Sequence, residues 1–500
     1  MKQKKVLSLF LVAMLALGTV GCGDGKVKVE SLKVPTYQDA GEMLIRSDLP
    51  PNQAARDQML LYKDCGFNTI VLTEDFFSVT PVAGYMDAMA AYKTDLEAWD
   101  GQEETKPVEP EKPDYIEALE LCEELGIDVF IRPHEKGTNK TDADNPNVAT
   151  DPEAVVGKPN YFEKYLYNLD FRDYPAVKGF MVADEPTYGQ VTDLQNRYLD
   201  WFNTNYGGEN YELFVNHNGP GSNAWKDKYS QTKTYDEFIN YYNDGFLSKL
   251  NQSTKVLSMD TYVLHNDGTN NYVSSSFLAS NLGMRRYADK FGVDYGGYIQ
   301  CFTGYSTLRE LTSYDDFSFQ VCTYMAFGAK RLSFYGYRTW AASDRTEIHL
   351  VDGGVPNAKW YMTKDVIAMI KKLDGVLYNF EWDGIYTNLG TGSFFDTNEA
   401  FEAIKSDDLD TLRGVKSFKS KYDTIAGQFK DKDGNDGFML VNYEEPSIKH
   451  DNKVTMTFEN ADGVLYYRNG EPTVEGLANK TFTIDLKPGE GVFIIPVYKK

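Results

Sequence analysis

The apolar run Gly179-Phe180-Met181-Val182-Ala183 drives into two adjacent carboxylates, Asp184 and Glu185, and then into Pro186. A buried strand closed by a proline reads this way. Two acids at a strand mouth lose water, and each disfavours the ionisation of the other. That suits a carboxyl held protonated near neutral pH, as a general acid requires. The alternative is a strand end whose acids are solvated or cap the next helix. Other short runs end in the same manner. Arg46 and Asp48 close 43–48, Glu74 and Asp75 follow 68–73, and His134 and Glu135 follow 128–133. Asn216, His217 and Asn218 close 213–218, and Asp260 and Tyr262 close 256–262. Gln300 and Phe302 close 297–302; Tyr335 and Tyr337 close 331–337, with Trp340 just beyond. Carboxylates and amides hydrogen-bond sugar hydroxyls, and aromatic faces stack on pyranose rings. A pocket converging on such groups points to carbohydrate chemistry.

The elements that must position these residues alternate. Amphipathic segments at 53–65, 115–125, 161–169, 194–205, 235–250, 275–291, 314–327 and 360–373 separate or follow the strands. Gly66, Gly126, Gly292 and Gly328 stand where left-handed helix caps are wanted. Eight strand–helix units in series argue for a parallel sheet closed into a (β/α)8 barrel, a TIM barrel of α/β class. A doubly wound open sheet would carry a Gly-rich phosphate loop after its first strand, and none follows here. The stretch 76–113 is long for a connection, and its charged, proline-rich part at 103–112 reads as an insertion over the barrel mouth. From residue 384 the chain changes to short alternating strands separated by turn signals such as Asn469-Gly470. These predict a small antiparallel β-sandwich over 384–500, following a barrel over 41–378. The run Asp431 to Gly437 reads as a hairpin turn rather than a calcium loop.

The N-terminus carries its own signal. Lys2, Lys4 and Lys5 precede an apolar stretch from Val6 to Leu17, then Gly18-Thr19-Val20-Gly21 and Cys22. This predicts a secretory signal over 1–21, too short to span a bilayer. A cysteine directly after small residues resembles the bacterial lipoprotein signal. That implies lipidation of Cys22, a tether over 22–40, and a mature protein anchored to the bacterial membrane and facing the exterior or periplasm. The formal net charge is −23, and loss of the leader removes three lysines more. Such a surface repels phosphate backbones, which argues against nucleic-acid partners and favours a neutral substrate. The remaining cysteines, Cys65, Cys122, Cys301 and Cys322, show no CxxC spacing, and five histidines show no HxH or HExxH pattern. Neither a disulfide framework nor a metal site is expected, and no cofactor is called for.

Glu185, ending the fourth strand before Pro186, resembles the acid/base glutamate of clan A glycoside hydrolases, which are (β/α)8 enzymes. The resemblance implies Glu185 as proton donor and Asp184 in the place of the asparagine that usually precedes it. The ordered set Asp184-Glu185-Pro186, Ser258 to Tyr262, Gln300-Cys301-Phe302 and Phe334 to Tyr337 also resembles bacterial surface proteins of the glycoside-hydrolase-like type. In clan A a carboxylate nucleophile ends strand seven; here Gln300 stands there, and an amide cannot form a glycosyl ester. Asp260 on strand six is the favoured second carboxylate, with Glu74, Glu135 or Glu347 as alternatives. The expected ligand contacts are Arg46, Asp48, Glu74, His134, Asp184, Asn216, Tyr262, Gln300, Phe302, Tyr335, Tyr337 and Trp340. The expected function is hydrolysis of a neutral oligo- or polysaccharide. The competing class is a non-catalytic glycan-binding lipoprotein on the same barrel; a two-lobed solute receptor does not fit the terminal β-domain.

Overall fold

The computed structural model describes residues 27–37, 42–49, 55–73, 76–132, 170–228, 230–304, 307–341, 346–392 and 395–500. Eight parallel strands close into a barrel: β1 (Leu44–Leu49), β2 (Thr69–Thr73), β3 (Asp128–Arg132), β4 (Val177–Asp184), β5 (Glu212–Asn218), β6 (Val256–Asp260), β7 (Asp294–Ile299) and β8 (Arg331–Phe334). Closure comes through β8, which pairs with β1 in the register Ser333↔Arg46. Helices on the outside include α1 (Arg56–Cys65), α2 (Phe76–Glu97), α3 (Asp114–Leu125), α4 (Tyr188–Arg197), α5 (Leu199–Asn205), α6 (Tyr235–Gly245), α7 (Ser276–Phe291), α8 (Tyr314–Ala326) and α9 (Ala358–Leu377). Gly126 and Gly292 end α3 and α7 in the left-handed region, at φ +63° and +67°. The insertion after β2 is helical over Phe76–Glu97. The expected helix at 161–169 lies outside the described residues.

The barrel interior is filled by Val71, Phe130, Met181, Phe214, Val256 and Tyr298, all buried, one from each of β2 to β7. β1 contributes Arg46 instead, which is 1% exposed; its guanidinium lies 3.8 Å from the centroid of the Phe214 ring, and its Nε donates to Ser333 Oγ at 2.7 Å. The interior is therefore a packed core, and ligand chemistry is confined to the rim at the strands' C-terminal ends. Gly297 lets the ring of Tyr324 lie against β7, since a Cβ there would meet it at 2.1 Å.

After α9 the chain builds a sandwich from β9 (Phe380–Asn388), β10 (Val415–Ser420), β11 (Thr424–Asp431), β12 (Asp436–Asn442), β13 (Asn452–Phe458), β14 (Gly463–Arg468), β15 (Glu471–Gly476), β16 (Thr481–Leu486) and β17 (Gly491–Lys499). The larger sheet runs β9-β11-β12-β17-β14-β15, and the smaller runs β10-β13-β16. Alternation along the larger sheet separates two cores. Ala426, Phe438, Leu440, Val492 and Ile494 face the smaller sheet, while Ile425, Met439, Val441, Phe493 and Ile495 join the core shared with the barrel. A sheet covered on both faces explains why residues 491–497 are buried without a break. At Gly427 a Cβ would lie 2.0 Å from Ala326 O, so glycine permits the sheet to touch the end of α8.

Two boundaries differ from the sequence reading. The sandwich begins at Phe380, four residues before the turn-rich composition does. In the expected tether, Leu32–Lys33 forms a two-residue strand paired with β17, and Tyr37 OH donates to Asp431 Oδ2 at 3.1 Å. This part of the segment is bound to the sandwich. Alternation over two residues gives no readable strand signal.

Candidate active site

The two acids that end β4 are aimed by its backbone. The ladder to β5 shifts register between Met181 and Ala183, a bulge that rotates the strand end. Glu185 then takes φ +48°, a left-handed conformation uncommon for a residue with a side chain. Its N–H donates to Asn216 O at 2.9 Å. Pro186 ends the strand, and Thr187 caps α4 through a reciprocal capping box with Gln190. Since Thr187 does the capping, the acids do not serve that purpose.

Asp184 and Glu185 point into different networks. Asp184 Oδ2 accepts from Arg132 Nη2 at 3.1 Å, and its Oδ1 accepts from Asn216 Nδ2 at 2.9 Å. Asn216 Oδ1 accepts in turn from Ser258 Oγ at 3.1 Å. Arg132 also reaches Asp48, with Nη1 3.5 Å from Oδ2. A chain of charges and amides thus runs Asp48–Arg132–Asp184–Asn216–Ser258 across β1, β3, β4, β5 and β6. Burial pushes the Asp48 carboxyl up to about 6; Arg132 opposes the rise and Asp184 adds to it.

Glu185 instead neighbours Asp260, the last residue of β6, closely enough for the two carboxyls to act on each other. Glu185 is exposed, whereas Asp260 is half-buried and its Oδ1 is buried without a hydrogen-bond partner. Loss of water at Asp260 and the nearby charges of Glu185 and Asp184 push its carboxyl well above the usual range. Two neighbouring carboxyls disfavour each other's ionisation, and burial adds to that cost at Asp260.

Beside this pair stands an aromatic group. Phe302 packs edge-on against Tyr262 at 5.2 Å and Tyr335 at 5.0 Å, and its ring stacks on His349 at 5.3 Å. His349 is held by Tyr335 O, 3.0 Å from its Nδ1, and Glu347 Oε2 lies 3.5 Å from its Nε2. Tyr262 and Tyr335 are half-buried and present ring surface at the rim, while Phe302 is 2% exposed and supports them from beneath.

Of the residues expected at the site, Asp48, Asp184, Glu185, Asn216, Asp260, Tyr262, Phe302 and Tyr335 gather at the rim. Arg46 lies one layer down, with Nη1 and Nη2 lacking hydrogen-bond partners. Gln300 is fully buried; its amide donates to Arg309 O at 3.2 Å and Phe302 O at 3.5 Å, and its main chain is bracketed by the side chain of Gln320. Tyr337 is also fully buried, turned behind β8, where its OH accepts from Trp360 Nε1 at 3.1 Å and its ring meets Tyr62. Trp340 lies on a two-residue strand paired with Thr346–Glu347. Glu74, His134, Glu135 and Cys22 lie outside the described residues. His217 faces outward against the Tyr242 ring, and burial lowers its imidazole to about 3, which keeps it neutral. Sequence reasoning does not single out Arg132 or His349. Arg132 ends its strand one residue before Pro133, and that polar strand end is the same signal that marks the acids. Among the described residues no cluster of histidine, cysteine and carboxylate side chains could hold a metal ion.

No protein-family model matches the chain, and no curated protein matches it. Similar solved structures exist at low identity. A Bacteroides fragilis protein assigned as an alpha-galactosidase/melibiase is 10% identical with a TM-score of 0.46, over 91% of this chain and 79% of that one. A GH27 β-L-arabinopyranosidase from Geobacillus stearothermophilus, in complex with arabinose, is 9% identical with a TM-score of 0.44, over 92% and 98%. An Anoxybacillus alpha-amylase is 9% identical with a TM-score of 0.44, over 89% and 90%.

Proposed function

We propose that the chain is a glycoside hydrolase acting on a neutral oligo- or polysaccharide, with Glu185 and Asp260 as its catalytic pair. The observation that carries this reading is the placement of Glu185 at the end of β4 beside Asp260 at the end of β6, where the Asp260 carboxyl is raised by burial and by Glu185 and its Oδ1 is buried without a partner. Glycosidic cleavage needs one carboxylic acid to protonate the leaving oxygen and one carboxylate to stabilise or attack the sugar cation, or to activate water. A pair in which one carboxyl is held protonated supplies both. The roles are the reverse of the sequence expectation. Asp260, the more buried member, holds the proton and acts as the acid. Glu185, exposed, is the carboxylate. Retaining enzymes hold their two carboxyls roughly 5–5.5 Å apart, and a bound sugar has to lie between Glu185 and Asp260.

Asp48, Asp184 and Asn216 offer acceptors and an amide to sugar hydroxyls, and Tyr262 and Tyr335 offer ring faces. Arg132 is bound to two acids, which leaves the rim with an excess of negative charge and disfavours uronic acids. The test is incubation of the purified protein with a panel of neutral glycans. Release of product, abolished in Glu185→Gln while binding persists, is the expected result. The second reading, a glycan-binding protein without turnover, is favoured by the buried amide of Gln300 where clan A carries a carboxylate. Binding without product from any bound sugar would establish it and overturn the first.

A further inference from the structure

A loop of the sandwich reaches the same end of the barrel as the two acids. β12 ends at Asn442, and the chain passes through Glu445 and a short helical turn, Pro446–Ile448, before β13. Glu445 is buried, and its Oε1 forms an ion pair with Arg309 Nη2 in the connection after β7. The same Nη2 donates to Asp316 Oδ1 at 2.6 Å. Asp316 Oδ2 accepts from the N–H groups of Thr312 and Ser313 at 2.8 and 3.0 Å, where α8 begins. All three charged side chains are 3% exposed or less. Arg309 and Asp316 already form a matched pair within the barrel. Glu445 leaves one buried cation facing two carboxylates, an arrangement that an apolar contact would match for stability. Its Oε2 accepts from Ser447 N at 2.8 Å.

What Arg309 holds is a piece of the rim. Its carbonyl accepts from the Gln300 amide at 3.2 Å, and its N–H donates to Leu264 O at 3.2 Å. Leu264 begins a hairpin after β6, in which Leu264–Asn266 pairs with Asn271–Val273. Thr307 O accepts from Asn266 N at 2.7 Å. Thr307 Oγ1 lies 2.8 Å from Nδ1 of His265, whose Nε2 lies 3.1 Å from Tyr262 O. A carbonyl only accepts, so Nε2 carries the imidazole proton and Nδ1 accepts from the Thr307 hydroxyl. Asn271 Nδ2 donates to Ser447 Oγ at 3.0 Å, which ties the hairpin to the sandwich directly. The route from Glu445 through Arg309 and the hairpin ends at Tyr262, beside Asp260 in the chain. It also gives Gln300 a use, since an amide can donate to Arg309 O and a carboxylate cannot.

We propose, resting on the reading of the rim as a glycoside-binding site, that Glu445 is a positioning residue: acting through Arg309, it holds the hairpin after β6 so that Tyr262 presents its ring to a bound sugar. The sandwich then shapes the site through this contact. Its effect falls on binding rather than on the chemical step, because a stacking face serves ground state and transition state alike.

Hydrogen exchange on the ligand-free protein tests the linkage, and titration with the neutral glycan that the wild type binds most tightly tests its consequence. In Glu445→Ala the amides of Asn266 and Arg309 should exchange about tenfold faster or more, while those of β6 and β7 keep their wild-type protection. Kd for the glycan should rise about tenfold, with kcat, where the glycan is turned over, changed by less than about threefold. Tyr262→Ala should raise Kd to a similar extent, and Glu445→Ala added to it should raise Kd little further, because both act on one contact. Glu445→Gln keeps the size of the side chain and should move each quantity the same way by less, so it carries the test if Glu445→Ala does not fold. Unchanged exchange at Asn266 and Arg309, beside intact glycan binding, overturns this proposal alone. Faster exchange with Kd unchanged does the same, as do effects of Glu445→Ala and Tyr262→Ala that multiply as independent losses. A wild type that binds no glycan overturns the glycosidase reading, and the role of Glu445 falls with it.

Discussion

At the base of the barrel Arg331 and Glu212 meet as a buried ion pair, each under a tenth exposed. At the rim, Asp48 and Asp184 share Arg132 while Glu185 and Asp260 neighbour each other, Asp260 Oδ1 and Asp48 Oδ1 lack partners, and Glu185 adopts a left-handed backbone. The same fold closes its charges at one end and leaves them open at the other. Charge matched within the chain has no use for a ligand; charge left unmatched at a concave rim does.

The largest expected effect tests the open end. Asp260→Asn and Glu185→Gln should each lower turnover of an unactivated glycoside by about 10³-fold or more, as loss of a catalytic group does. Their responses to leaving group should then diverge. If Asp260 is the acid, aryl glycosides with acidic phenols restore much of the rate in Asp260→Asn and little in Glu185→Gln. The opposite pattern in steady-state kinetics would return the acid role to Glu185.

The closed end should respond in stability. Arg331→Met strands the Glu212 carboxylate in the core, at a cost of about 3–5 kcal/mol by urea denaturation. Adding Glu212→Leu should recover most of that loss, since a buried pair replaced by apolar groups is near neutral. Activity per folded molecule should be unchanged in the double variant. A loss of activity there would mean the two ends are coupled, and the contrast between them would fail.

The two ends also differ in how far the amino-acid sequence reveals them, because sequence encodes strand ends locally and side-chain directions only at long range. Apolar runs stop abruptly at polar residues, so Asp184, Glu185 and Asp260 are legible as rim residues from their order in the chain. Which way a side chain turns beyond the last ladder bond depends on partners far along the chain. Gln300 turns to the carbonyl of Arg309, itself fixed by Asp316 and by Glu445 of the sandwich. Tyr337 turns to Trp360, and only the packing of α1 and α9 behind β8 selects that. Arg132 acquires meaning only from Asp48 and Asp184, more than fifty residues away on either side.

Gln300→Glu sharpens the comparison at strand seven. A carboxylate installed there would face the carbonyl oxygens that now accept from the amide, at a cost of about 1–3 kcal/mol. Thermal unfolding should show that loss, and the variant should gain no activity. A rise in turnover would show that the side chain reaches the rim, and would bring the clan A arrangement back.

The smallest effect is a pH dependence. Asp48 titrates near 6 in the folded chain, against 3.8 for an ordinary aspartate. A carboxyl raised by folding favours the native state most when both forms hold the proton, below about pH 4. That contribution is lost as pH rises through 6, because the unfolded chain then ionises more readily. Between pH 4 and pH 7 the loss is of order 2 kcal/mol. Asp260, raised in the same direction, extends the trend to higher pH. Urea midpoints across this range should therefore fall with pH more steeply in the wild type than in Asp48→Asn. No difference in slope would mean that water at the rim solvates Asp48 as bulk water does. The rim would then be open in solvation while its charges are as well matched as those at the base.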